Sequence, residues 1–417
     1  MVVLGAGPAG LGAGLAAARA GAEVVVAEAQ GRVGGLCVTR RRDGFGYDLG
    51  GHIPFVRDPG RRAWLEGLLD GDLRWVDRPV SCVRDGRLTR GRYLDQRPDV
   101  PERPGEPDDT ARGFLSARFG PDFTDAALRP YLEKIDGVPL ERVPAERVRR
   151  LLEDQAAPDG FWFPRSGIGQ LMDAMADAIV AAGGEVRLHT RASALRLEGG
   201  RVGGVDLDGA GPTEPIATGQ VVVSLPAGLA AGIAVPPAPA SARAAVRMRA
   251  VALVYLTLDR ERLTAEPWIQ VDDDAVPFSR AFEPANWSPD LAPSGRTVIG
   301  FECYCDATDD DPVWSLDDDA LAAACARALA EPLGWLDDPA LARPLEVVRL
   351  PHAYPVPDLE QMPAVMAPAQ WLTGQEGVHL APGAAVIEAI AAGERAAAEA
   401  LSGAAAAGPV APDASIP

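Results

Sequence analysis

The segment Gly5-Ala6-Gly7-Pro8-Ala9-Gly10 stands between an apolar run, Val2-Val3-Leu4, and an Ala- and Leu-rich stretch that reaches Ala20 and stops at Gly21. A G-x-G-x-x-G joining a strand to a helix constrains the fold more than any other feature of this chain. The first glycine permits a tight turn, the second lets a pyrophosphate approach the backbone, and the third lets the helix pack against the strand. The free N–H groups and partial positive charge of the helix start attract phosphate. A β-branched run, Glu23–Ala27, fits a buried parallel strand and leads to Glu28, eighteen residues beyond Gly10. A carboxylate there accepts hydrogen bonds from ribose hydroxyls and repels a 2′-phosphate, which disfavours NADP. These residues predict an α/β chain with a Rossmann-like domain.

The residues beyond Glu28 decide between NAD and FAD. Gln30-Gly31-Arg32-Val33-Gly34-Gly35 comes almost directly after it, and a further glycine pair stands in Asp48-Leu49-Gly50-Gly51-His52. Extra glycine turns let backbone approach a longer cofactor, and FAD carries a ribityl chain and a flavin ring beyond its pyrophosphate. Together these motifs resemble the FAD superfamily of amine oxidases, protoporphyrinogen oxidases, phytoene desaturases and UDP-galactopyranose mutases. Phe161-Trp162-Phe163-Pro164-Arg165-Ser166-Gly167-Ile168-Gly169-Gln170-Leu171, Asn286-Trp287-Ser288 and Ala353-Tyr354-Pro355 extend the resemblance over nearly the whole chain.

The resemblance implies that Gly5, Gly7, Ala9 and Gly10 hold the pyrophosphate and Glu28 the ribose, with Ala29 and Gln30 beside the adenosine and phosphate. It implies that Gly34, Gly35 and Leu36 line the ribityl chain. Gly50, Gly51, His52 and Ile53 would border the flavin ring, and Ala192 would contact adenine through its backbone. One departure concerns the closing turn. The family presents an Asp or Arg there, whereas Ala381-Pro382-Gly383 has neither, and Pro382 removes a backbone donor. The tyrosine and arginine that the mutases place in this region are also missing.

Three side chains are candidates for chemistry. His52 follows the glycine pair, where an imidazole can hydrogen-bond the ring or a substrate oxyanion; its alternative role is to satisfy the turn backbone. Lys134, the only lysine among the 40 Lys and Arg residues, lies in a stretch resembling one that borders the substrate pocket. Its alternative is a solvated helix-end partner of Glu133 or Asp136. Arg280 suits a substrate anion, and Glu283, three residues on, faces the other side of a strand. Arg78 and Arg165 are weaker candidates, and Tyr354 is expected to pack. No carboxylate dyad, Ser-His-Asp order or metal-ligand spacing appears, so the chemistry belongs to the flavin.

The expected organisation is a discontinuous FAD-binding domain (1–56, 161–240 and 372–401), an inserted α+β substrate lobe (57–160 and 241–371) and a disordered tail (402–417). A net charge of −19 argues against nucleic acid, and no apolar run is long enough to span a membrane. Five cysteines without zinc spacing, and a strand beginning at Val2, predict reduced thiols in a cytoplasmic protein. The expected activity is FAD-dependent dehydrogenation of a small-molecule substrate by hydride transfer to flavin N5. Two alternatives stand beside it: a non-redox sugar-nucleotide mutase using reduced FAD, and a flavoprotein scaffold that has lost tight cofactor binding. Oligomeric state is not legible.

Overall fold

Val2, Val3 and Leu4 are fully buried, as a strand covered on both faces must be. In the computed structural model, which describes residues 1–77, 80–84, 87–93, 109–155, 160–383 and 385–407, they form the centre of a parallel sheet. Its order is Val378–Leu380, Val221–Val223, Val2–Leu4, Val25–Ala27, Glu185–Arg187. Alternate residues of each strand enter two different cores. Val3, Val26 and Val222 pack with Leu11 and Ile179 of the helices Pro8–Arg19 and Gly169–Ala181. Val2, Leu4, Val221 and Val223 pack on the other face with Leu195, Leu207 and Leu372. The expectation of a Rossmann-like α/β chain is met.

The helices Pro8–Arg19 and Val386–Ala407 cross with their backbones in contact, which glycine alone allows. A Cβ on Gly12 would lie 2.4 Å from the Ile390 carbonyl oxygen, and one on Gly393 only 1.8 Å from that of Ala9. The closing helix runs to Ala407, so residues 402–407 are helical and the expected tail does not begin at 402. The Ala398 carbonyl accepts the Ser402 hydroxyl within it.

A second, seven-stranded sheet has the order Arg343–Pro355, Met248–Leu258, Thr297–Cys305, Arg280–Phe282, Trp268–Val271, Val80–Arg84, Arg87–Arg90. Side-chain alternation divides its duties. Ala252, Val254, Phe301 and Cys303 pack under Leu321, Cys325 and Leu329 of the helix Asp318–Ala330. Val251, Leu253, Tyr255 and Tyr304 belong instead to the core that reaches the first sheet. The five cysteines are free and buried. Among the described residues no helix is long and apolar enough to cross a membrane, and no cluster of His, Cys, Asp or Glu is built to hold a metal. Arg78 and the proline-rich stretch Pro98 to Pro107 lie outside the described residues.

The helix crossing gives a first test. Gly393→Ala should destabilise the protein by about 1–3 kcal/mol through overpacking. Gly211→Ala, at a position where a Cβ meets nothing within 4 Å, should change stability by less than about 0.5 kcal/mol. Urea denaturation of the two variants checks both.

Candidate active site

The first glycine turn separates glycines the fold needs from one it does not. Gly5 has φ +93°, and its N–H donates to the Ala27 carbonyl at 2.8 Å. A Cβ on Gly10 would lie 1.9 Å from the Gly5 carbonyl oxygen. Gly7 differs: its φ of −72° suits any residue, and a Cβ there would meet no atom within 4 Å. Neither crowding nor backbone strain within the described residues therefore requires glycine at this position. Ser224, which no motif singles out, pins the turn by donating its hydroxyl to the Leu4 and Gly5 carbonyls at 2.8 and 3.0 Å.

Glu28 is buried beside this turn. One carboxylate oxygen accepts the Ala6 N–H and the other the Gln30 N–H, each at 2.8 Å. The R-x-G-G turn folds over the first: the Gly34 N–H donates to the Ala6 carbonyl at 2.7 Å, and a Cβ on Gly35 would sit 3.4 Å from the Gly7 Cα. Gly7 with its open space, Gly35 and the Glu28 carboxylate therefore border one mouth, with Gly5, Ala9 and Gly10 on the turn and helix behind it and Ala29, Gln30 and Gly34 on the adjoining segments. Leu36 stands exposed at its edge. Ala192 opens a strand just after His189 and Thr190, whose N–H groups donate to the Gln30 and Glu28 carbonyls.

The D-x-G-G-H turn is held by groups from the second sheet. The Tyr255 hydroxyl donates to the Asp48 carbonyl at 2.6 Å and accepts the Gly50 N–H at 3.3 Å. The Gly51 N–H donates to Glu302 Oε1 at 3.0 Å. A Cβ on Gly51 would lie 1.7 Å from the Trp268 ring, so the indole occupies the place of a side chain there. Burial lowers the His52 pKa and favours the neutral imidazole, although the nearby Glu302 charge opposes this. Its Nδ1 is buried without a hydrogen-bond partner among the described residues. Ile53 packs against the core. Asp48 accepts the Thr39 hydroxyl at 2.6 Å and the Ile168 N–H, yet burial outweighs these and pushes its carboxyl up to about 7.

Arg280 lies one side chain from that turn. Its Nη1 donates to Glu302 Oε2 at 3.2 Å and to the Tyr304 hydroxyl at 2.7 Å, and its Nε donates to the Tyr131 hydroxyl at 3.0 Å. The guanidinium also lies over the Trp268 and Tyr304 rings, at 5.5 and 5.4 Å from their centroids. Neighbouring negative charge and hydrogen bonds outweigh its burial and keep it charged. Nη2 makes no hydrogen bond among the described residues, and the side chain is 23% exposed. Tyr354 does more than pack: its hydroxyl meets that of Tyr304 at 3.3 Å.

Glu302, Tyr304, Trp268, Tyr131 and Tyr255 were not anticipated. The signal for Glu302 was available, since it is the single charged residue in the buried strand TVIGFECYC. Glu283, by contrast, is spent on the N–H groups of Leu263 and Thr264 and the Thr297 hydroxyl. Asn286-Trp287-Ser288 is likewise structural, donating to the carbonyls of Thr264, Pro267 and Arg165. Arg165 pairs at the surface with Asp72 and Asp290.

The expectation of a chemical role for Lys134 is corrected. Its ammonium donates to the carbonyls of Asp273, Val276 and Phe278 at 2.6, 2.8 and 3.0 Å. All three protons are engaged in clamping the loop before Arg280, and none is left for a substrate. At the closing turn the Ala381 N–H donates to the Val223 carbonyl at 3.0 Å, and helix begins at Val386. A cleft of about 340 Å³ opens beside it, walled by Phe55, Arg57, Asp58, Arg61, Ile387 and Glu388.

With this geometry in hand, comparison with known proteins assigns the class. A model of NAD(P)-binding Rossmann-like domains matches residues 3–67, and one of flavin containing amine oxidoreductases matches residues 61–401. The chain belongs to the flavin containing amine oxidoreductases, within the FAD-dependent amine oxidase-like superfamily. Its fold is similar to that of a reduced UDP-galactopyranose mutase (TM-score 0.77, 18% identity, 97% of this chain and 95% of that one). It is also similar to a protein described as a protoporphyrinogen oxidase from Exiguobacterium sp. 255-15 (0.70, 18%, 95% and 97%). Putrescine oxidase bound to putrescine is a third (0.68, 18%, 96% and 98%). No curated protein matches the chain in sequence.

The buried Asp48 generates a prediction. Its folded carboxyl holds a proton up to about 7, against an ordinary value of 3.8, so the folded state binds that proton more tightly. The resulting stabilisation is complete below the unfolded value and is lost as pH rises through the folded one. Asp48→Asn mimics the protonated acid at every pH. The stability of wild type relative to Asp48→Asn should therefore fall between about pH 4 and about pH 7 in chemical denaturation and level off above. Parallel stability curves would return Asp48 to an ordinary ionised carboxylate.

Proposed function

We propose that this protein is an FAD-dependent oxidoreductase that dehydrogenates a small molecule bearing an anionic group. The observation that carries the reading is the junction at Gly51. There Glu302 sets the Arg280 guanidinium beside the turn that, by family resemblance, borders the flavin ring. In this reading residues 1–56, 161–240 and 372–401 hold the cofactor, and 57–160 and 241–371 hold the substrate.

The cradle fits the dinucleotide. Gly7 leaves room for a pyrophosphate at the helix start, with Gly5, Ala9 and Gly10 shaping the approach. Glu28 retains unused lone pairs for ribose hydroxyls after accepting its two backbone N–H groups. Gln30 and Ala192 flank the adenosine end, and Gly34, Gly35 and Leu36 the ribityl chain. When bound, FAD would supply the two-electron acceptor for dehydrogenation of the substrate. Arg280 anchors the substrate through its two free Nη2 donors and orients it. His52, whose neutral imidazole burial favours, is the residue we assign to accept the proton that leaves the substrate nitrogen or oxygen. The packed aromatic wall of Trp268, Phe282 and Trp287 keeps water from this side of the cleft.

A mutase reading is favoured by one observation, the fold similarity to reduced UDP-galactopyranose mutase. The absence of Tyr and Arg from Ala381-Pro382-Gly383 weighs against it. Carboxylate-bearing amines and alcohols supplied without oxygen should bleach the flavin absorbance. Colour should return on admitting oxygen or an artificial acceptor, with product two hydrogens lighter than substrate. Turnover that conserves substrate mass and requires prior dithionite reduction would contradict the oxidoreductase reading.

A further inference from the structure

Glu302 takes part in a contact that bears on which anions the cleft accepts. Its Oε2 lies 3.2 Å from Arg280 Nη1 and accepts the Tyr304 hydroxyl at 2.7 Å, while its Oε1 is fixed by the Gly51 N–H. The carboxylate is only 5% exposed, so solvent screens the pair weakly. A unit negative charge is thereby built in beside a guanidinium with donors to spare.

The neighbouring cations are engaged in the same way. Arg147 pairs with buried Asp136 at 3.1 Å, and Arg249 and Arg247 both pair with Asp306, at 2.9 and 2.6 Å. Lys134 is engaged by three carbonyls. Asp306 offsets only one of its two arginines and the Lys134 carbonyls are neutral, so the compensation at Arg280 itself comes from Glu302. Such a site can hydrogen-bond one planar carboxylate through Nη2, next to the Trp268 ring. A diphosphate brings at least two negative charges to a guanidinium whose own charge Glu302 already offsets, and Glu302 repels the excess.

We propose that Glu302 is a specificity-determining residue that tunes the Arg280 cleft for a single carboxylate and against a diphosphate. The substrate class is then a small monocarboxylate, carried beside an aromatic wall. This rests on the reading of the Arg280 cleft as the substrate site, and it does not depend on which bond is oxidised.

The test is calorimetric titration of the FAD-saturated protein with benzoate and with inorganic pyrophosphate, counting only binding that Arg280→Gln removes. FAD saturation keeps pyrophosphate from the Gly7 mouth. Wild type should bind benzoate at least about tenfold more tightly than pyrophosphate, the scale of one charge-assisted hydrogen bond. Glu302→Gln, which is isosteric and keeps an acceptor for the Gly51 N–H, should raise pyrophosphate affinity about tenfold or more and benzoate affinity much less. Wild type binding pyrophosphate as tightly as benzoate would overturn the proposal. So would an unchanged ratio in Glu302→Gln, or the absence of any Arg280-dependent binding. Should Glu302→Gln fail to fold, the wild-type ratio alone decides. Flavin that no substrate bleaches, with the benzoate preference intact, would remove the oxidoreductase reading and leave this selectivity standing.

Discussion

The contact between Gly51 and the second sheet joins the two halves of this molecule. The Trp268 indole fills the space where any side chain at Gly51 would stand, and Glu302 takes the Gly51 N–H. The D-x-G-G-H turn is therefore shaped by strands more than two hundred residues away in sequence. The same carboxylate that fixes the turn fixes Arg280, so the D-x-G-G-H backbone and the guanidinium share one anchor. Removing one partner of such a buried pair leaves an uncompensated charge, typically at a cost of about 3–5 kcal/mol. Geometry at this junction is thus strongly determined before any ligand arrives, which is the condition for orienting a small substrate.

Legibility tracked sequence distance. The strand, turn and helix from Val2 to Arg19, the return strand Val221–Val223 and the closing strand Val378–Leu380 are local patterns, and each could be read from apolar runs punctuated by glycine. Arg280 was legible as a cation on a strand, but that strand ends at Phe282, and Glu283 stands beyond it at the start of a short helix. The partners of Arg280 were not, because Tyr131, Glu302 and Tyr304 come from other elements and only the sheet order unites them. Lys134 was misread for a related reason. Its three carbonyl partners lie in the Asp273–Phe278 loop, and nothing in the local stretch Glu133-Lys134-Ile135-Asp136 announces them. The helix end was misplaced because Ala- and Gly-rich composition reads as loose tail, yet residues 402–407 continue the helix that crosses Pro8–Arg19.

The glycines carry a further lesson, since equal residues in one motif answer to different demands. Gly5 answers to its positive φ, and Gly10 to the carbonyl of Gly5. Gly7 answers to neither, because no described residue crowds the place of its side chain. Gly7 is thus the position in the motif that the fold leaves unconstrained, at the mouth formed with Gly35 and Glu28. Gly12 and Gly393 belong to the first kind, fixed by the helix crossing beneath the mouth.

The central claim, that this mouth holds the pyrophosphate of FAD, is tested most directly at Gly7. The substitution Gly7→Val adds a side chain into space that no atom of the described residues occupies, at a φ any residue adopts. Calorimetric titration of cofactor-free protein with FAD should give one site in the wild type. In Gly7→Val that binding should be lost or weakened by at least about a hundredfold, roughly 2.7 kcal/mol, while the melting temperature of the cofactor-free protein stays within a few degrees. Undiminished FAD binding by a folded Gly7→Val protein would contradict the account.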